Sequence, residues 1–221
     1  MNPKVINPYA ALGTKHKDSL DDIIAHLPAN PAFDDLNGQL GAAFFQIDPE
    51  SPKAGAVIEN TIKTILPHAY NGYVNGGIGG FVKYSDSQQP FIKQMLEGIQ
   101  SIPAESGSEF LGGIEENIGS GKLSYEEQIP LLIAVTLGKS DSEYWLAQIA
   151  APGAWATYLN ADNAINNAHV GGWVSAAMQG ALLAYGLLKP PQIQLVDIVT
   201  AAIGSTGLVA GKVLFGWVGR G

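Results

Sequence analysis

From about residue 150 onward the chain carries almost no charge and places small residues at helical intervals. The only charged side chains there are Asp162, Lys189, Asp197, Lys212 and Arg220. Gly172, Ala176, Gly180 and Ala184 fall at steps of four, which puts them on one face of a helix. Thr200, Gly204, Gly207 and Gly211 follow at steps of four, three and four, again on one face. Glycine inside a helix costs about 1 kcal/mol relative to alanine. Its repetition therefore needs a return, and close approach of another backbone is the usual one. The short Pro190-Pro191 connection makes each ladder the other's nearest partner, as an antiparallel helical hairpin of glycine-zipper type. Gln179 and Lys212 fall off these seams and are expected at the surface. The same seam would serve a packed core or a membrane hairpin. Val170 to Leu188 is 19 residues without a charge, about the length needed to span a bilayer. Asp197 and Lys212 interrupt the last helix, which is poor for a static span.

The remainder of the chain reads as capped, 3.6-periodic segments, so the fold class expected is all-α, a helical bundle carrying the C-terminal laddered hairpin. Asn7-Pro8-Tyr9 is a turn segment, because proline disfavours helix in the residue before it. A helix is expected from Lys17 to Leu27, capped by Asp18 or Ser19, with Leu20, Ile23, Ile24 and Leu27 as its stripe. Leu40 to Ile47 is ambiguous between helix and strand. Ser51-Pro52 opens a helix that Pro67 stops. Residues 70–84 are glycine-rich, and Asn75-Gly76 makes a minor β-hairpin the one expected departure from helix. Further helices cover Pro90 to Ile102 and the stretch around Phe110, Leu111, Ile114 and Ile118. Ser124 with Glu127 and Ser140 with Glu143 match the capping-box pattern and predict two more helices, the first kinked near Pro130. Helix formers then run from Ala154 to Leu188, and a last helix covers Leu195 to Val218. At 221 residues the chain fits a single helical domain, with residues 150–221 an apolar C-terminal subdomain.

Composition narrows the chemistry. There is no cysteine, which removes disulfides, thiolate metal sites and cysteine nucleophiles. Net charge is −8 and the one arginine is Arg220, so nucleic acid is not an expected partner. No apolar stretch of signal-peptide length follows Met1, which reads as cytoplasmic for the chain as it stands and as exported if a signal has been removed. The four histidines, His16, His26, His68 and His169, have no metal-ligand spacing, so no metal or cofactor is expected. Gly119-Ser120-Gly121-Lys122 lacks the first glycine of a phosphate loop and has Leu123 where a metal-binding hydroxyl belongs. Asp197 to Gly204 is faintly similar to the metal-binding C-terminal stretch of ADP-ribosylglycohydrolases, but the second acidic ligand is missing. One polar cluster stands out. Asp162, Asn163, Asn166, Asn167 and His169 crowd the approach to the first ladder, and asparagine is a poor helix former. They are read either as a polar helix end or as a small-ligand pocket built on Asp162, Asn163, Asn166 and His169.

Three segments carry a resemblance. The opening Asn7-Pro8-Tyr9, Gly13, His16, Leu20-Asp21 and Ile23-Ile24 is similar to the start of a group of uncharacterised bacterial proteins. Lys139-Ser140 with Tyr144-Trp145 resembles that group's middle motif, and the glycine-rich C-terminus resembles its ending. Ala10 stands where that group has Asp, and Lys17 where it has Asn. The resemblance implies a bacterial source, an envelope or secreted setting, and a conformational role for the ladders; it transfers no functional residue.

Two functional readings follow from the sequence. One is a non-enzymatic bacterial interaction protein whose hairpin enters membranes in the manner of pore-forming bacteriocins. The other is an enzyme or small-ligand-binding protein with its pocket near Asn163, Asn166 and His169.

Overall fold

The computed structural model describes residues 7–28, 39, 82–151, 153, 155, 167–188 and 195–215. Among them the structure is all-α, with six helices and no strand. The helices are α1 (Ala10–His26), α2 (Gln89–Gly98), α3 (Gly107–Ser120), α4 (Tyr125–Ala150), α5 (Asn167–Leu188) and α6 (Leu195–Phe215). Two 3-10 turns, Ile99–Ser101 and Ala104–Ser106, join α2 to α3. Leu40 to Ile47, the segment from Ser51 to Pro67 and the Asn75-Gly76 turn lie outside the described residues; residues 82–84 form no strand.

The 26-residue α4 is the centre of the bundle and packs against α1, α3 and α5. Its start follows from the sequence: the Ser124 hydroxyl accepts from the Glu127 N–H, and the Glu127 carboxylate accepts from the Ser124 N–H. The second capping-box pattern opens nothing. Ser140 lies in the middle of α4, which continues unbroken through Pro130 and on to Ala150. The Ser140 hydroxyl instead donates to the Gly13 carbonyl at 2.5 Å, so a tertiary acceptor has taken the group that would have capped.

The first helix also begins earlier than expected, at Ala10 rather than Lys17. Ala10, Ala11 and Leu12 are good helix formers, and Ser19 is buried inside the helix instead of capping it. The chain enters α1 through an Asx turn, in which the Asn7 Oδ1 accepts from the Tyr9 N–H at 2.9 Å.

α5 and α6 make the most extensive helix–helix contact in the fold. They run antiparallel: Thr206 meets the Trp173 carbonyl, and Ala201 and Ser205 lie against Gly180. A Cβ built on Gly180 would sit 2.4 Å from the Ala201 carbonyl oxygen and 2.3 Å from the Ser205 hydroxyl. Ala176 and Ala184 are buried beside it. Gly171, one residue from the ladder, packs just as tightly, its Cβ position lying 2.6 Å from the Ile99 carbonyl oxygen. Gln179 is not at the surface. It is 2% exposed and its amide donates to the Ser175 hydroxyl at 3.2 Å. The helix is buried on every side from Val170 to Ala184, so no face was left for a polar residue to reach solvent. The side chain of Lys212 lies outside the described residues, as does any substituent at Gly211.

The remaining core joins these helices through aromatics. Trp145 of α4 packs on Trp173 of α5 at 4.3 Å between ring centroids and on Trp155 at 4.9 Å. The Trp155 indole N–H donates to the Tyr144 hydroxyl at 2.7 Å. Burial holds the Tyr144 phenol well above its usual range, so it remains a neutral partner at any physiological pH.

Candidate functional site

Two helices that are far apart in sequence present matching polar faces to each other. Ala10, Gly13, Thr14 and Lys17 recur at three- and four-residue steps on α1; Thr136, Lys139, Ser140 and Glu143 do the same on α4. With Glu115 of α3 they enclose an open cleft of about 200 Å3. The two helices pack closely at Gly13, where an added Cβ would stand 3.2 Å from the Ser140 Cβ. A larger residue there would push α1 off α4 and pull apart the hydrogen bond between Ser140 and the Gly13 carbonyl.

The cleft is where the central helix meets water. From Pro130 to Trp145 every residue of α4 is buried except Lys139 and Glu143, one helical turn apart. Each belongs to a charge pair that reaches across to another helix. The Lys17 ammonium pairs with Glu143 at 2.5 Å, and the Lys139 ammonium with Glu115 at 2.8 Å. Both carboxylates are also held from outside the cleft: the Ser108 hydroxyl donates to Glu143 at 3.0 Å, and the Asn7 amide donates to Glu115 at 2.5 Å. Asn7 Nδ2 donates further to the Thr136 hydroxyl at 2.8 Å. Because Asn7 Oδ1 is committed to the Tyr9 N–H, the orientation of its amide is fixed by the network. Burial opposes the charge on Glu143, but hydrogen bonds from Lys17 and Ser108 outweigh it and hold the carboxyl below its usual range.

Behind the cleft lies a sealed polar pair. The His16 Nε2 and an Asp141 oxygen are 2.9 Å apart, and both side chains are completely buried. The second Asp141 oxygen faces the Thr206 hydroxyl at 3.5 Å, a long contact that brings α6 to the same point. Among the described residues His16 Nδ1 has no hydrogen-bond partner. The pair thus ties α1, α4 and α6 together, and neither ring nitrogen opens into the cleft.

The site residues expected from sequence fare differently. Asp162, Asn163 and Asn166 lie outside the described residues. Asn167 and His169 sit in the first turn of α5, and their side chains are likewise outside them. Of the packing seam, Gly172, Ala176, Gly180, Ala184 and Gly204 are buried and Gly207 is half-buried. Gly119 and Ser120 end α3, and Gly121 is its C-cap. Among the described residues no cluster of three His, Asp or Glu side chains is arranged to hold a metal ion.

What sequence reasoning missed is that the two resembling segments meet. Gly13 and His16 of the first meet Ser140 and Asp141 of the second across more than 120 residues of chain. The available signal was the pair of polar helical faces, each with small residues at its centre. Comparisons with protein-family models, with curated proteins and with solved structures produce no match to this chain.

Proposed function

We propose that this chain is a non-enzymatic interaction protein that recognises a small polar ligand through the cleft between α1 and α4. The observation that carries the reading is the exposure pattern of α4. A helix otherwise buried from Pro130 to Trp145 opens to solvent at two charged residues, and both line the cleft. A bacterial source accords with the resemblance of the opening and middle segments. The non-enzymatic part rests on His16, which among the described residues is the one histidine close to the cleft and whose ring is completely buried against Asp141.

A membrane-active hairpin is the second reading, favoured by the burial of α5 from Val170 to Ala184 and of α6 from Asp197 to Thr206. Against it, the described residues contain no helix long and apolar enough to cross a membrane. Ser175, Gln179, Thr200, Ser205 and Thr206 place polar groups along the two helices. A thermal-shift panel of small metabolites, run beside dye release from anionic vesicles, tests both. The binding reading expects saturable stabilisation by a compound that is recovered unchanged, and intact vesicles. Turnover of the stabilising compound would make the protein an enzyme. Vesicle leakage would move the function to the hairpin.

A further inference from the structure

We infer that the cleft between α1 and α4 takes a small zwitterion with the charge pattern of an α-amino acid. The inference rests on the binding role proposed above and adds the chemical class of the ligand.

Charge selects that class. The cleft holds two ammonium groups, Lys17 and Lys139, and two carboxylates, Glu115 and Glu143, and so is neutral as a whole. A simple anion entering it gains two lysines but meets two carboxylates; a simple cation meets the reverse. A molecule with both charges can set each against its complement, which is how charge arrangement confers specificity. Bonding capacity remains for it. An ammonium has three donors and each lysine uses one on its carboxylate. An ionised carboxylate has about four acceptor positions, and Glu115 and Glu143 use two each. Thr14 adds an exposed hydroxyl at the rim.

Size and preorganisation point the same way. A volume of about 200 Å3 lies below the ~300–1,000 Å3 of drug-sized ligand sites and suits a molecule of amino-acid size. The carboxylates are positioned before any ligand arrives, because Asn7 and Ser108 hold them from outside the cleft. A ligand therefore need not order them on binding.

The test uses the full chain and the L-α-amino acids with uncharged side chains, each beside its N-acetyl derivative and its decarboxylated amine, with melting temperature and amide NMR shifts as readouts. At least one free amino acid is expected to raise the melting temperature saturably and to shift amides of α1 and α4. Its two singly charged derivatives are expected to bind at least about tenfold more weakly, as loss of one charge-assisted contact implies. Lys139→Met and Glu143→Gln should each abolish the effect, and Thr14→Trp should block it without removing a charge. Lys93→Met, which breaks an exposed pair with Glu97 on α2, should leave it intact. Equal binding of a singly charged derivative, or binding that survives both Lys139→Met and Thr14→Trp, overturns the inference. A singly charged metabolite that binds and is lost in Lys139→Met would remove the zwitterion class while leaving the binding role standing. Silence across both panels would remove the two together.

Discussion

Two glycine-to-alanine substitutions of identical chemistry should move stability in opposite directions. In α3, Gly112 and Gly113 are helical and have nothing within 4 Å of the Cβ position. Alanine at either should stabilise by about 0.5–1 kcal/mol, through helix propensity and a less mobile unfolded chain. In α5 the same propensity gain of about 1 kcal/mol applies at Gly180, but the new methyl would lie 2.4 Å from a backbone carbonyl oxygen of α6. No side-chain rotation relieves that contact, so α5 and α6 must separate. Overpacking costs about 1–3 kcal/mol, and a backbone obstacle places Gly180→Ala in the upper part of that range. The net loss is about 1–2 kcal/mol. For a chain of this length it should lower the melting temperature by about 2–8 °C, against a rise of a few degrees for Gly112→Ala. Gly180→Leu should lose more, since three further carbon atoms enter the same seam. Differential scanning calorimetry of the three variants decides it. If Gly180→Ala melts at or above Gly112→Ala, the helices do not meet at Gly180, and the packed hairpin is wrong.

Three other outcomes are expected. Replacing His16 alone with Leu leaves Asp141 buried without its partner and should cost about 3 kcal/mol or more in denaturant unfolding. The double variant His16→Leu with Asp141→Leu should lie closer to the parent than that single change, and a double variant worse than both singles would mean that the pair is not the relevant contact. Glu127 is lowered to about 2, chiefly by the Ser85 hydroxyl and then by the Ser124 N–H and the Ser87 hydroxyl. Its folded value lies below its ordinary value of 4.5, so its contribution is present above pH 4.5 and is lost as pH falls toward 2. Glu127→Gln should therefore flatten the acid limb of a stability–pH profile in that window and leave its shape unchanged above it. Asn7→Asp should destabilise by about 1–2 kcal/mol, because a carboxylate would replace the amide that donates to Glu115; unchanged unfolding of this variant would show that the Asn7 contact is idle.

Local sequence signals identified elements better than they identified sites. Leu111, Ile114 and Ile118 announced α3, and the Ser124–Glu127 pattern announced the start of α4, because helix periodicity and capping act within a few residues. The same pattern at Ser140 and Glu143 misled, because the competing partner was the Gly13 carbonyl, 127 residues away. Gln179 misled in the same way: polarity suggested solvent, whereas Ser175 supplied a buried hydrogen bond. The step-of-four spacing located Gly180, where the contact depends on helix geometry alone. It did not single out Gly171, whose neighbour is a 3-10 turn with no ladder of its own. The cleft was invisible for the reason that hid the role of Ser140. Each of its walls looks like an ordinary solvated helix face until the other is brought against it.

The glycines of this bundle differ in how freely later sequence change can pass through them. At Gly138 the atom nearest the Cβ position is the Met178 sulfur at 2.6 Å, the flexible part of an adaptable side chain. A methyl there can be accommodated if Met178 rotates or is exchanged for something smaller, so positions 138 and 178 are free to drift as a pair. At Gly171 and Gly180 the obstacle is main chain, which no second substitution can shorten. Descendants of this sequence should thus trade residues between α4 and α5 while glycine persists at 171 and 180. In a lineage where either of those two positions has changed, the helix it faces must have moved.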